Sequence, residues 1–439
     1  MKVALVNPSW TFEGSIYFGC REPHLPLEYG YAKALLERDG HDVTIIDGQL
    51  HALSREEIRD SLVDAGADMI VVTTAPSYLF WRCAPPELRV PQELLADVED
   101  LPGVRVAIGP HASTTPAATL RKLHCDVVVM GEAEDVLPQL ATARERWANV
   151  DGITYEANGH VHVQGGLRPS DMQALPALRW PASAIRRHAH HHHRFEAPPS
   201  GPGAEMETSR GCPYHCTFCA KDNFRNAYRK RPLPVILEEL DALIANGVEY
   251  VYFIDEIFLP NKELLEALVD RPVLFGVQTR IDLWSKPLLD LLGRAGCVSI
   301  EAGVESISEA GRNLLDKKSR LSTAEISDRL LHARASVPFV QANLLDAQVD
   351  DPDAVEEWRQ HLIVNQVWAN KPVPLFPYPG SPDYMRRWGR PDDIAWDRAV
   401  DYYLAQFAEF SDIQDARPLP LHALERSTLR WGSRVSGVS

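Results

Sequence analysis

Short runs dominated by valine and isoleucine recur through the first third of the chain, and they constrain its fold more than any other feature. KVALVN (2–7), DVTIID (42–47), DMIVVTT (68–74), VRVAIG (104–109) and DVVVMG (126–131) are each of strand length. Such continuous runs describe strands buried on both faces, as in parallel sheets covered by helices. Helix-length amphipathic segments separate them, among them LEYGYAKALLERDG (27–40) and SREEIRDSLVDAG (54–66). Ser54 and Glu57 have capping-box spacing, which would start the second of these helices. Five such units over residues 1–150 predict an α/β fold that begins with an open, doubly wound, Rossmann-like domain. Ligands of such sheets bind at the carboxyl ends of the strands.

The pattern breaks over residues 151–205. ITYEANGHVHV (153–163) predicts a hairpin, because Asn158-Gly159 suits a type I′ turn. A stretch rich in Pro, Arg and His follows and ends in APPSGPGAE (197–205), which reads as a linker; the histidine run 188–193 is read as a solvated part of it. Alternation resumes with EMETS (205–209), YVYFID (250–255), VLFGVQT (273–279), CVSIEAG (297–303), FVQANLL (339–345) and VPLFP (373–377). About six βα units over 206–385, too few to close an eight-stranded barrel, predict a partial (β/α)6 TIM-like barrel with functional loops at one end. Residues 386–439, rich in aromatics, are expected to pack as a C-terminal cap.

A formal net charge of −16 argues against nucleic-acid binding, which shows as a basic patch. No apolar run reaches the roughly 18 residues that span a bilayer, and the start reads as a first strand rather than a signal peptide. Seven cysteines in so long a chain suggest a reducing cytoplasmic setting and a metal site rather than a disulfide framework.

Three of those cysteines, Cys212, Cys216 and Cys219, stand together in SRGCPYHCTFC (209–219). Soft thiolates in a C-x3-C-x2-C array suit zinc or an iron–sulfur cluster. With zinc, His215 would complete a Cys3His set. With a cubane of four irons, three thiolates would leave one iron open to a small molecule carrying an amine and a carboxylate. The loop follows a predicted strand and opens the barrel half, which favours the cluster.

RGCPYHCTFC resembles the signature loop of radical S-adenosylmethionine enzymes. The resemblance implies a 4Fe-4S cluster on Cys212, Cys216 and Cys219, with S-adenosylmethionine chelating the open iron. It places Phe218 near the adenine and Glu256, in FIDEIF (253–258), near the amino group. Gln278 and Arg280 lie in VQTRIDL (277–283), where the Arg280 fork matches the cofactor carboxylate. Glu301, in SIEAGVES (299–306), becomes a ribose contact. An external electron donor such as flavodoxin or ferredoxin is implied as a partner. No cysteine follows Cys297, so a single cluster is expected.

VVTTAPSY (71–78), GPHASTTP (109–116) and DVVVMGEAED (126–135) resemble strand ends of the cobalamin-binding domain that precedes the radical domain in one large subclass. YPGSP (378–382) is similar to a segment near the end of its radical domain. The resemblance implies cobalamin as a second cofactor, with edge contacts from Thr74, Ser77, Gly109, Gly131 and Glu132. D-x-H-x-x-G is missing: DGQLHAL (47–53) has the wrong spacing and His111 lies in GPHA, so cobalt is expected without a protein histidine. Cys20 and Cys83 fall in aromatic-rich loops after the first and third strands, expected at the domain interface. The implied activity is methylation of an unactivated carbon in a small-molecule substrate. Radical rearrangement, ring contraction or cyclisation without methyl transfer is the alternative, and a non-catalytic cobalamin sensor the more distant one.

Overall fold

The computed structural model describes residues 1–10, 23–77, 88–144, 146–187, 201–225, 227–406, 409–410 and 419–420. Cys20, Cys83 and the histidine run 188–193 lie outside the described residues.

Every apolar run of the first third forms a strand: β1 (Lys2–Asn7), β2 (Asp42–Asp47), β3 (Met69–Thr73), β4 (Val104–Ile108) and β5 (Val127–Val129). They pair in parallel in the order β2-β1-β3-β4-β5. Alternate side chains feed opposite cores, as a strand's two-residue period requires. Leu5, Val71, Ile108 and Val129 pack with Tyr29, Leu36 and Leu140 on one side. Val6, Val72, Ala107 and Val128 pack with Ile58, Leu62 and Leu94 on the other. Burial of each large aliphatic residue contributes ~1.5–3 kcal/mol. The helix Arg55–Ala65 carries the full capping box: Glu57 N donates to Ser54 Oγ at 3.2 Å, and Ser54 N donates to Glu57 at 2.7 Å.

The hairpin forms from β6 (Ile153–Ala157) and β7 (His160–Gln164), with Asn158 at φ 53° and Gly159 at φ 75°, both left-handed as a type I′ turn demands. Rather than standing between domains, it adds antiparallel to β5 and extends the first sheet to seven strands.

The second sheet opens with β8 (Gly203–Met206). A two-stranded ribbon follows, β9 (Ser209–Arg210) against β10 (Arg229–Lys230). Then come β11 (Tyr250–Phe253), β12 (Leu274–Thr279), β13 (Cys297–Glu305), β14 (Phe339–Asp346) and β15 (Trp368–Ala369). The six sheet strands run β8-β11-β12-β13-β14-β15, all parallel, with helices between successive strands from β8 to β15. The sixth is therefore Trp368–Ala369 and not VPLFP. Only β16 (Val373–Pro374) of that segment pairs, farther along β14. Prolines at 372, 374 and 377 remove the N–H groups a longer ladder needs.

The tail helix Ala395–Gln406 joins a small aromatic core with Phe376 and Tyr384. It also reaches the first domain. Trp396 Nε1 donates to Thr115 Oγ1 at 3.3 Å, its ring lies 4.6 Å from His111, and Asp393 pairs with Arg121 at 2.5 Å. Among the described residues, no helix is long and apolar enough to cross a membrane.

Candidate functional site

The cysteine loop is anchored at both ends. Antiparallel pairing of Ser209–Arg210 with Arg229–Lys230 closes its base. Asp255, buried at the end of β11, accepts from Thr208 N at 2.7 Å, Thr208 Oγ1 at 2.6 Å and Ser209 Oγ at 2.5 Å. Burial nevertheless lifts its carboxyl to about 6. Glu256 accepts from Gly211 N at 2.9 Å, directly before the first cysteine, and burial lifts it to about 7.

Farther along, Thr217 N donates to Leu315 O at 3.0 Å, and Thr217 O accepts from Asp383 N at 2.9 Å. Asn223 Nδ2 donates to Pro379 O at 2.7 Å. The YPGSP segment thus braces the loop from outside. Gly380 must be glycine here: its φ is +89°, and an added Cβ would stand 2.0 Å from the Asn223 side chain.

Cys212, Cys216 and Cys219 are all half-buried and free. Burial raises each thiol, Cys216 to about 11 and Cys219 to about 12; Cys212 bears electrostatically on both, which marks the three as one group. Lys221, Lys317 and Arg280 face the group and favour thiolates. Among the described residues, no three His, Cys, Asp or Glu side chains are drawn together round a point where one ion would sit. Soft sulfur donors sharing one loop suit a multi-iron cluster. His215 lies on the exposed side of the loop.

Two candidate contacts carry unmet hydrogen-bonding capacity. Arg280 is gripped by Asp282 at 3.1 and 2.7 Å and lies 4.0 Å over the Tyr214 ring, while its Nη1 is buried without a partner. Gln278 Oε1 is buried and equally unpartnered. Gln278 and Glu301 sit level with each other on β12 and β13, and Gln341 of β14 continues the row. Phe218 is half-buried in the loop. A buried unpaired donor and a buried unpaired acceptor two residues apart in the chain suit a ligand carrying both a carboxylate and an ammonium group.

The first-domain candidates all stand at strand ends. Thr74 follows β3, and its hydroxyl lies 3.1 Å from His111 Nδ1. Ser77 donates to both oxygens of Glu28 at 2.9 Å. Burial lifts the Glu28 carboxyl to about 8, which favours its protonated form near neutral pH. Gly109 (φ 127°) and Gly131 (φ 83°) end β4 and β5 in conformations open to glycine. An added Cβ on Gly131 would meet the Arg168 backbone at 2.5 Å, so that glycine serves the bridge to the hairpin strand's exit. The crevice next to β1 and β3, where the strand order reverses, is where such sheets bind ligands. Small neutral polar groups there fit a ligand fringed with carboxamides.

Glu132 is the exception, because protein groups occupy its carboxylate. Arg210 Nη1 donates to it at 2.9 Å, Arg229 Nη1 at 3.1 Å and Ser170 N at 3.0 Å; Arg229 Nη2 adds a further contact. Arg210, wholly buried, also meets Glu134 at 2.6 Å and Glu207 at 2.6 Å. Burial alone would raise the Glu132 carboxyl; Arg210, Arg225 and Arg229 outweigh it and hold it at about 2. Glu132 therefore joins the two domains at the base of the cysteine loop. A second buried crossing, His24 to Glu205 at 2.7 Å, links the loop after β1 to β8.

Sequence reasoning did not find Glu28, Glu207, Arg210, Arg225 or Arg229. The available signal was a charge placed directly between a predicted strand and a metal loop, as Arg210 is.

The family model described as B12 binding domain matches residues 21–141, and that of the Radical SAM superfamily matches residues 206–345. An uncharacterized methyltransferase of Pyrococcus horikoshii is 26% identical over 70% of this chain and 66% of its own length. The anaerobic magnesium-protoporphyrin IX monomethyl ester cyclase of Rubrivivax gelatinosus is 24% identical over 78% of this chain and 62% of its own. Hopanoid C-3 methylase of Methylococcus capsulatus is 26% identical over 87% and 71%. The chain thus spans just under two-thirds of the length of the first two relatives. Among solved structures, the radical S-adenosylmethionine methyltransferase TsrM of Kitasatospora setae shares the fold with TM-score 0.67 and 20% identity, covering 88% of this chain and 77% of that one. The cobalamin-dependent enzyme OxsB does so with TM-score 0.65 and 18% identity, covering 91% and 55%.

Proposed function

Since the chain belongs to the radical S-adenosylmethionine enzymes that carry a cobalamin-binding domain, we propose that it methylates an unactivated carbon of a small-molecule substrate. One observation carries the reading: Glu132, at a strand end of the first domain, is bonded to Arg210, two residues before the first cysteine of the loop. The two strand-end faces consequently meet, and groups held on each would share one cavity.

In this reading Cys212, Cys216 and Cys219 hold the 4Fe-4S cluster. Arg280 Nη1 and Gln278 Oε1, the unpaired buried atoms of β12's end, take the carboxylate and ammonium of S-adenosylmethionine. Phe218 and Glu301 stand as its adenine and ribose contacts. Thr74, Ser77, Gly109 and Gly131 border the cobalamin crevice. Bound there, the cluster supplies an electron for cleaving S-adenosylmethionine, and cobalamin supplies a carrier for the methyl group. Glu256 fixes the backbone at Gly211, and so the direction in which the first cysteine leaves the barrel. Tyr214 and Asp282 hold Arg280 in one orientation before any ligand arrives, which lowers the ordering cost of binding.

The cyclase among the relatives supports a second reading, radical cyclisation without methyl transfer. Anaerobic loading with iron, sulfide and hydroxocobalamin, followed by product analysis, separates the two. Methylation yields 5′-deoxyadenosine and S-adenosylhomocysteine together. Deoxyadenosine alone would leave the cyclase-like reading, and zinc in place of iron would remove both.

A further inference from the structure

The tail helix Ala395–Gln406 brings one large side chain onto the strand-end loops of the first domain. Trp396 is buried, with its ring 4.6 Å from that of His111, and its Nε1 donates to Thr115 Oγ1 at 3.3 Å. Thr115 N in turn donates to His111 O at 2.9 Å. Trp396 therefore bears on His111 twice, directly through its ring and by way of Thr115 on the backbone.

His111 passes this contact on to the end of β3. It is fully buried, and its Nδ1 lies 3.1 Å from the hydroxyl of Thr74, which is fully buried as well. Thr74 N donates to Ile108 O at 2.9 Å, so the sheet fixes the backbone here while His111 fixes the side chain. A hydroxyl carries one proton and two lone pairs. The bond to His111 therefore turns Thr74 without exhausting it, and capacity for a further hydrogen bond remains.

Two ion pairs seat the same helix on the first domain, Asp393 with Arg121 at 2.5 Å and Asp397 with Lys122 at 3.6 Å. Ion pairs in reach of water attach weakly and tolerate more than one geometry. A buried pair of rings with a hydrogen bond at one edge is more exacting. Trp396, between the two pairs in sequence, is thus the contact that fixes where the helix holds His111.

We propose that Trp396 is a positioning residue for the cobalamin crevice: through His111 it keeps the Thr74 hydroxyl turned for a hydrogen bond to a carboxamide of that cofactor. The proposal rests on the cobalamin reading given above. It gives His111, the histidine of GPHA, the task of a spacer between the tail and the crevice. The helix that packs on Phe376 and Tyr384 at the end of the second domain then bears on a ligand of the first.

The test titrates the full chain with hydroxocobalamin by absorbance, with circular dichroism as the check of folding. Saturable binding by the wild type judges the cobalamin reading separately. Thr74→Val should weaken binding by roughly three- to tenfold, the loss of one hydrogen bond, and Trp396→Leu should do the same. The two losses should not add, because both variants remove one and the same contact. His111→Leu cuts the relay at its middle and should repeat both results, whatever leucine at 396 does to the packing of the tail. Trp396→Phe, which keeps a ring against His111, should restore binding close to that of the wild type. Lys122→Met, which removes a charge pairing of the same helix, should bind as the wild type does. Undiminished binding in Thr74→Val, additive losses, no rescue by phenylalanine, or an equal loss in Lys122→Met would each overturn the proposal.

Discussion

Glu132 and Arg210 lie 2.9 Å apart, both completely buried, one from the end of β5 and the other from the base of the cysteine loop. An apolar contact would hold two domains together without fixing their relative orientation. A guanidinium shared between Glu132, Glu134 and Glu207 fixes direction as well as distance. Replacing Glu132 by Gln keeps the shape and removes one charge from the set. Removing one partner of a buried pair costs about 3–5 kcal/mol, and the lower end applies because Arg210 keeps two carboxylates. Thermal unfolding should therefore come several degrees earlier in Glu132→Gln, and Glu132→Asp should recover part of the loss. The spectroscopic readout is more telling: with both cofactors bound, the magnetic coupling between cobalt and cluster should change in Glu132→Gln. An unchanged coupling would limit Glu132 to a stabilising role.

Gly380 offers a test of how the loop is held from outside. Alanine at φ +89° costs about 1–3 kcal/mol in backbone strain, and its Cβ would displace Asn223, 2.0 Å away, from its bond to Pro379 O. Gly380→Ala should lower iron retention after desalting while circular dichroism stays that of the wild type. Full iron retention would show that the loop holds its place without this brace.

The sheets were legible in the sequence because burial on both faces leaves unbroken apolar runs, and Leu5, Val71, Ile108 and Val129 each sit where their run predicts. Local chemistry was legible too: Ser54 caps its helix, and Asn158-Gly159 turns the hairpin. Where the hairpin goes was not, since its position depends on the free edge of β5, which only the folded sheet creates. VPLFP misled because its apolar content signals burial while its prolines forbid a ladder. The ionic joint escaped for a different reason. Glu132 and Arg210 are 78 residues apart, and a buried charge looks like a surface charge until its partner is known. Arg280 was found because a resemblance pointed to it; its unpaired Nη1 is visible only in the structure.

Arg280 gives the sharpest test of the ligand contacts. Lysine retains the charge but loses the fork that Asp282 grips and the plane that stacks on Tyr214. A charge-assisted hydrogen bond contributes about 1.5–3 kcal/mol, so Arg280→Lys should weaken S-adenosylmethionine binding by roughly 10- to 100-fold. The visible spectrum of the cluster before S-adenosylmethionine is added should be unchanged. Equal affinity in the variant, measured by equilibrium dialysis, would move the carboxylate contact elsewhere.

Glu28 makes stability depend on pH with a definite sign. Burial raises its carboxyl from 4.5 to about 8, opposed by hydrogen bonds from its own backbone and Ser77, with Glu134 and Arg225 as nearby charges. Between those values the folded protein keeps a proton that the unfolded chain has released. Stability from this group is therefore full below 4.5 and is lost as pH rises through that window, at up to about 1.4 kcal/mol per unit. Glu256 and Asp255, raised to about 7 and 6, act in the same direction over narrower ranges. Glu132, held at about 2, acts oppositely but only under acid. Urea unfolding at pH 5 and pH 8 should accordingly show a wild type less stable at pH 8. Glu28→Gln should flatten that difference by several kcal/mol on the order expected for one fully buried carboxyl, since glutamine keeps a hydrogen bond to Ser77 and has no proton to lose. If the variant shows the same fall as the wild type, Glu28 is charged in the folded protein, and the crevice beside Ser77 carries a fixed negative charge.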